Sequence, residues 1–543
     1  MESRAVRPIL AATGALMLAA CTALHHPSAA SKGESRPLTI VQTQDFASLN
    51  PIFVSGVGGQ ELAALLYSYL LRIDDRGNLV PDAALRVPTR ANGGISPDGR
   101  TITYRLRAGL RFSDGVALTS RDVAFTMRAI TDPRNAVPSV LGFDRIRAIE
   151  TPDARTVRVV LKTPFAPALV YLCGPGNAVP ILPEHILGRQ GPLAQAPFDA
   201  KPVGSGPYRV VRWQRGERLE LERNSTYWGR AAHIERMAIV FTASAPAAET
   251  MLRAGEADAY VNADESQYAL LKKLPGTRVD RIPIDGTGAL IFNLQDPVTS
   301  DPVVRRAFAM AFDGRDVVGK VLQGGVFTAG PGQGLFQWAY DPRAFSMPRY
   351  DPAAAARALD ADGWRLDPQG VRAKGSRRLA VTLITRADKP SATTIATAIQ
   401  AAERAIGVDV SIQRFAVDEL VAPAPAGPLY GGRFGVTLFQ FIAGFDPDVT
   451  DQFACDRIPP RGFNKARYCN PRVDALLERA ASAPDRAARI RLYREVQRLL
   501  AHDLPLVALY QATSINVFPR ALRGQTTAVT TPFWNVAAWR LAP

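Results

Sequence analysis

Histidines, cysteines and a glycine-rich segment are where this sequence could do chemistry, and their spacing argues against turnover. The five histidines are His25, His26, His185, His233 and His502, and none sits beside a catalytic partner in sequence. No Walker loop, no G-x-S-x-G elbow and no H-E-x-x-H zinc motif occurs. Gly330-Pro331-Gly332-Gln333-Gly334 is glycine-rich, but Pro331 removes a backbone N–H that a phosphate nest needs, so it reads as a loop turn. Asn224-Ser225-Thr226 fits the glycosylation pattern and reads as a helix cap. Triads can be scattered, so missing motifs lower an enzyme reading without removing it. No cofactor and no metal is expected. Of four cysteines, Cys455 and Cys469 flank a Pro/Gly-containing loop. In an oxidising compartment they could form a disulfide closing that loop, worth about 3 kcal/mol. A metal reading is weak, because neither lies in a C-x-x-C and no histidine is near. Cys173 reads as a buried free thiol.

The 543 residues suffice for two or three domains, and the 47% apolar fraction is that of a globular protein. Arg4 and Arg7 precede an uncharged apolar run over residues 8–20, the layout of a signal peptide and too short to span as a mature membrane helix. The run ends Leu18-Ala19-Ala20-Cys21, which resembles the lipobox of bacterial lipoproteins and implies lipidation of Cys21. Residues 22–36 read as a flexible tether. No later run reaches the roughly 18 apolar residues of a spanning helix. The net charge of +15 contains no block of five basic residues, so it reads as an arginine-rich solvated surface, and nucleic acid is not an expected partner.

The pattern between these features is α/β. Residues 38–42, 101–107, 156–161, 237–242 and 290–294 read as strands, and 208–213 with 218–222 as a hairpin around Arg215-Gly216. Thr119, with Asp122 three residues on, starts a helix running to Ile130. Pro302 opens a helix within 301–312. A strand at 378–384, a helix at 391–406 and a strand at 408–413 make a βαβ unit, so part of the sheet is parallel. Helices at 474–480 and 485–501 precede a late strand at 506–510. Two lobes with a cleft between them follow, and clefts are where ligand sites lie.

Several motifs carry a resemblance. Tyr104-Arg105-Leu106-Arg107-Ala108-Gly109, Phe112-Ser113-Asp114-Gly115 and Leu118-Thr119-Ser120-Arg121-Asp122-Val123 come first. Gly204-Ser205-Gly206-Pro207-Tyr208 and Glu222-Arg223-Asn224-Ser225-Thr226-Tyr227-Trp228-Gly229 follow. Phe292-Asn293, the segment 301–313, Tyr350-Asp351-Pro352 and Asn470-Pro471 complete the series. In this order they resemble family 5 extracellular solute-binding proteins, the oligopeptide, dipeptide and nickel receptors of ABC importers, over nearly the whole mature chain. The resemblance implies a large two-lobed periplasmic-binding-protein fold of the cluster C type, with a mixed sheet in each lobe. It implies lobe I from 37–70, 200–285 and 513–543, an extra subdomain at 71–199, and lobe II at 286–512. It further implies a monomeric, membrane-anchored lipoprotein in the periplasm or at the cell surface. That protein encloses a small peptide or peptide-like solute and delivers it to ABC permease subunits, without chemistry. A chaperone or sensor partner of the same fold, or a receptor for a non-peptide solute, is the alternative.

The same resemblance points to anchors. In dipeptide-type members an arginine just after a strand holds the ligand carboxylate, and Arg386 falls at that place; a guanidinium fork suits both carboxylate oxygens. Those members hold the α-amine with an aspartate in W-x-x-D shortly before D-P-D. Here D-P-D is Asp446-Pro447-Asp448, and the preceding Gln440-Phe441-Ile442-Ala443 puts Ala443 at the aspartate's place. Phe441, Ala443 and Asp446 are therefore expected at the site, with Asp446 as the substitute carboxylate. A carboxylate-bearing ligand without a free α-amine, or a larger or modified peptide, fits this departure. The cysteine pair matches one carried by the dipeptide-like branch. A nickel role is not supported, since no histidine falls in the expected cleft loops.

Overall fold

A computed structural model describes residues 36–542 apart from 55, 174–179, 323–337, 345–346, 443 and 484. The signal segment, Cys21, the tether, the glycine-rich segment 330–334 and Ala443 lie outside the described residues, as do the side chains of Cys173 and Phe441. Residues 37–543 form one compact unit.

A ten-stranded mixed sheet runs through that unit. At one end Ala380–Arg386 lies between Asp409–Phe415 and Val436–Ile442, parallel to both, with the helix Pro390–Ala405 as the crossover expected of a βαβ unit. At the other end Leu38–Gln42 lies parallel to Ala259–Ala263 and Arg236–Phe241, and the hairpin Tyr208–Gln214/Arg218–Arg223 forms the edge. Two long strands join the ends. Thr277–Phe292 has 16 residues and Leu506–Pro519 has 14, and they pair antiparallel from Thr277 opposite Pro519 to Ile291 opposite Leu506.

The apolar side chains divide with the sheet. One core gathers Leu38, Leu62, Tyr104, Phe112, Tyr208 and Trp539; another gathers Phe292, Phe308, Trp364, Leu383, Ile395 and Val436. A three-stranded sheet of Thr101–Arg105, Thr156–Leu161 and Ile146–Asp153 buries Tyr104, Val157 and Leu161 in the first core. Its helix Ser120–Thr131 starts with the expected cap: Thr119 and Asp122 form a reciprocal capping box.

The long strands were legible only at their apolar ends, 290–294 and 506–510. Pro283, Gly286, Gly288, Gln511, Thr513 and Ser514 interrupt the alternation between them. These residues sit where the ladder slips, between Pro283 and Thr287 and between Gly288 and Ala289. The Gln511 side-chain amide donates to the Ile284 and Gly286 carbonyls at 2.5 and 2.8 Å, satisfying acceptors the slipped ladder leaves over.

The second core carries one liability. Glu403, on the inner face of Pro390–Ala405, is fully buried, and neither carboxylate oxygen has a hydrogen-bond partner among the described residues. Burial alone pushes its pKa well up. A raised folded pKa means that stability falls as pH climbs past the unfolded carboxylate range. Glu403→Met is therefore expected to raise the melting temperature at pH 7 and to do so less at pH 4. An equal gain at both values would show that the carboxylate's charge is not the cause.

Candidate functional site

The lobes touch on both sides of a cleft. On one side the Ser391 hydroxyl donates to Asp264 at 2.7 Å and Lys389 Nζ donates to the Asn262 carbonyl at 3.0 Å. On the other, Arg145 Nη1 donates to Glu478 at 2.9 Å, the Tyr171 hydroxyl donates to the Asp448 carbonyl at 3.1 Å, and Arg457 pairs with Asp144.

A polar compartment of about 80 Å³ lies at its base, enough for several waters or one ligand end group rather than a whole solute. Its walls follow from the fold. Gln42 to Phe46 leave the end of the strand Leu38–Gln42, and Glu61 projects from the helix Gly56–Leu66. Arg386 ends the strand Ala380–Arg386, Lys389 caps the following helix, and Gln440 comes from Val436–Ile442. Ile284, Thr513 and Ser514, from the interrupted stretch of the long strands, complete the lining. Thr513 and Ser514, two of the residues that hid those strands in sequence, face the compartment.

Arg386 is held in place. Its Nε donates to Asp388 Oδ1 at 2.9 Å, Nη2 also donates to Asp388, and Nη2 reaches Gln44 of the opposite lobe at 3.3 Å. Burial would raise the Asp388 pKa, but Arg386 outweighs it and holds the carboxyl below its usual range. Burial and then Arg386 push the Lys389 ammonium down, against the pull of Asp264 and Asp388. Glu61 accepts from Asn262 Nδ2 at 2.6 Å, and burial lifts its carboxyl to about 7. Because that folded pKa lies above the unfolded 4.5, ionising Glu61 costs stability as pH rises from 4.5 to about 7 and adds no further cost above that. The whole effect is on the order of 3 kcal/mol. Glu61→Gln is expected to flatten this part of the stability–pH curve, read as melting temperatures at pH 5 and 7.5. The expectation fails if the wild-type and variant curves stay parallel.

A second compartment of about 770 Å³ opens beyond Gln44, Asp45, Phe46 and Gly58, which it shares with the first. It is bounded by Phe53, Val54, Val137 and Val140 from the first part of the chain and by Val421, Tyr430 and Phe463 from the second. Sequence reasoning missed this compartment and the polar Glu61, Asn262 and Lys389. Lys389 stood next to Arg386 as a signal; the others had none, because they converge from segments about two hundred residues apart.

Of the remaining expected residues, Phe441 and Asp446 have described backbone positions. Phe441 lies on Val436–Ile442 opposite Thr287. Asp446 does not line either compartment: its carboxylate is taken by both terminal nitrogens of Arg489, Nη1 at 3.0 Å, with both side chains buried. Cys455 and Cys469 are joined in a disulfide.

Comparison with known proteins places this geometry. A family model described as bacterial extracellular solute-binding proteins, family 5 middle region, matches residues 78–452. Protein XP55 of Streptomyces lividans is 30% identical over 95% of this chain and 90% of its own. The oligopeptide-binding protein AppA of Bacillus subtilis is 24% identical over 97% of each. Its structure with a nonapeptide superposes with a TM-score of 0.84 at 23% identity, covering 94% of this chain and 99% of that one. NikZ of Campylobacter jejuni, solved with Ni(L-His), gives 0.82 at 24% identity over 93% and 99%. With most of its length matched, the chain belongs to the family 5 bacterial extracellular solute-binding proteins, which are two-lobed receptors and not enzymes.

Proposed function

We propose that the protein is the extracytoplasmic receptor of an ABC importer and binds a peptide or peptide-like solute with a carboxylate in the inter-lobe cleft. The observation that carries this reading is Arg386, oriented by Asp388 and facing the enclosed polar compartment from the end of a strand. The ligand carboxylate sits against the free edge of that guanidinium, with Lys389 adding positive charge. Relatives with peptide ligands in their names support the solute class. In this reading 37–70, 200–285 and 513–543 form the first lobe, 71–199 its added subdomain and 286–512 the second. The lobes close about the long strands, and the closed form docks on a permease as a monomer. Phe441 and Ala443 border the ligand. Cys21 carries the lipid that keeps the cleft beside the membrane, several acyl chains being needed for stable anchoring.

The test is to purify the protein, identify co-purifying small molecules by mass spectrometry, and add them back. Ligand at a hundred times its Kd should stabilise the fold by about 2.7 kcal/mol, leave the solution unchanged chemically, and do so much less for Arg386→Ala. A broad peptide library that produces no thermal shift defeats the reading.

A further inference from the structure

The two compartments differ in size and chemistry, and the difference assigns the ligand's parts. The polar one has room only for an end group, whereas about 770 Å³ is within the range that encloses a whole drug-sized ligand. The solute's bulk therefore lies in the larger, apolar compartment. Five carboxylates and two guanidinium groups also line that compartment, in a chain whose net charge is +15. Asp132, Asp144 and Asp456 each pair with an arginine. Among the described residues Asp45 and Asp418 are in no ion pair, and they come from opposite lobes. Asp45 is fixed by N–H groups of Phe46, Trp213 and Gly216 at 2.7, 3.1 and 2.7 Å. Asp418 sits on the short helix Val417–Leu420.

We propose that the apolar compartment is the specificity subsite of the cleft and takes the hydrophobic side chains of a peptide with a free amino group, its ammonium lying between Asp45 and Asp418. This rests on the receptor reading above. Closing an empty cleft brings these two carboxylates toward each other; partial burial, Asp45 and Asp388 raise the Asp418 pKa, and the facing Arg386 and Arg215 only partly offset this. A bound ammonium removes that repulsion, so the charge pair favours closure on an amine and opposes closure on an acyl carboxylate. The amine anchor missing at the position of Ala443 is thereby supplied from a different part of the fold.

The experiment is isothermal titration of the full chain with trileucine, triserine, N-acetyl-trileucine and decanoate. Each leucine side chain moved from water into the compartment is worth about tenfold in affinity, so trileucine should bind at least about tenfold tighter than triserine. N-acetylation should weaken trileucine by a similar factor, and decanoate should not displace it. Val140→Trp, which fills the compartment, should weaken trileucine and leave triserine unchanged. Val421→Trp on the opposite wall serves the same purpose if the first variant melts early. Equal binding of trileucine and triserine, or displacement by decanoate, overturns the subsite while leaving a receptor. Failure of every peptide, with none co-purifying, removes the receptor reading itself.

Discussion

Asp446→Ala should cost about 3–5 kcal/mol of folding stability, the usual result of breaking one side of a buried ion pair. Arg489 would remain behind, nearly inaccessible and without its carboxylate. Burial would lower the pKa of that guanidinium, but Asp446 more than reverses this and holds it above the ordinary arginine value. After the substitution the Tyr493 hydroxyl at 2.9 Å, the rings of Trp338 and Tyr493 and the neighbouring Asp448 carboxylate would still face the cation. Guanidinium unfolding curves of Asp446→Ala, Arg489→Met and the double variant measure this directly. The double variant should lose less than the sum of the singles, because no uncompensated charge is left. Additive losses would show that the two groups are not coupled. The same series bears on ligand contact: a structural Asp446 changes stability far more than the affinity of the protein that remains folded.

The second large effect concerns Gly204. A Cβ there would lie 1.8 Å from the Leu66 carbonyl oxygen and 2.9 Å from its carbon. Both belong to the backbone at the end of the helix Gly56–Leu66, so no side-chain rotation relieves the collision. The neighbouring bonds show why the chain comes so close. Gly206 N donates to Leu66 O at 2.9 Å, Ser68 N and Oγ bond Ser205 at 3.1 and 3.0 Å, and Asn224 Nδ2 donates to Gly206 O at 2.8 Å. Gly204→Ala is expected to cost about 3 kcal/mol, at the upper end for overpacking. Gly319→Ala is the control, since it lies within the helix Gly314–Val321 with nothing near its Cβ. Gain of helix propensity makes that change neutral or stabilising by up to about 1 kcal/mol. Comparable losses at both positions would mean that close backbone approach is not what Gly204 provides.

Gly204 also shows how motif and physics correspond. Gly204-Ser205-Gly206-Pro207-Tyr208 and Asn224 to Trp228 were legible as a family signature, and the structure turns them into one packed joint. Trp228 Nε1 donates to Ser68, and the Tyr208 hydroxyl donates to the Ile234 carbonyl at 3.0 Å. None of these residues lines either compartment, in keeping with their reading as scaffold.

Local chemistry made other parts readable as well. The capping box at Thr119 and the βαβ unit around Pro390–Ala405 depend on contacts a few residues long, or on periodicity within one element, so residue types alone suffice. The absence of catalytic motifs, the two-lobed α/β class and the place of Arg386 at a strand end were accessible in the same way. The inner half of the two long strands was not. Its polar residues answer to the cleft they face and to the Gln511 amide that repairs the slipped ladder, not to a strand pattern.

By itself, then, the sequence determined the family, the strand–helix order at both ends of the sheet, and the arginine at the cleft. Only the tertiary structure decided that Asp446 pairs with Arg489 and that Glu61, Asn262 and Lys389 gather around Arg386. It also decided that an apolar compartment with Asp45 and Asp418 on its wall adjoins them. Those arrangements join residues up to about four hundred positions apart, and a group's charge state there is set by burial and by partners from other elements. Neither burial nor distant partners can be read from neighbours along the chain.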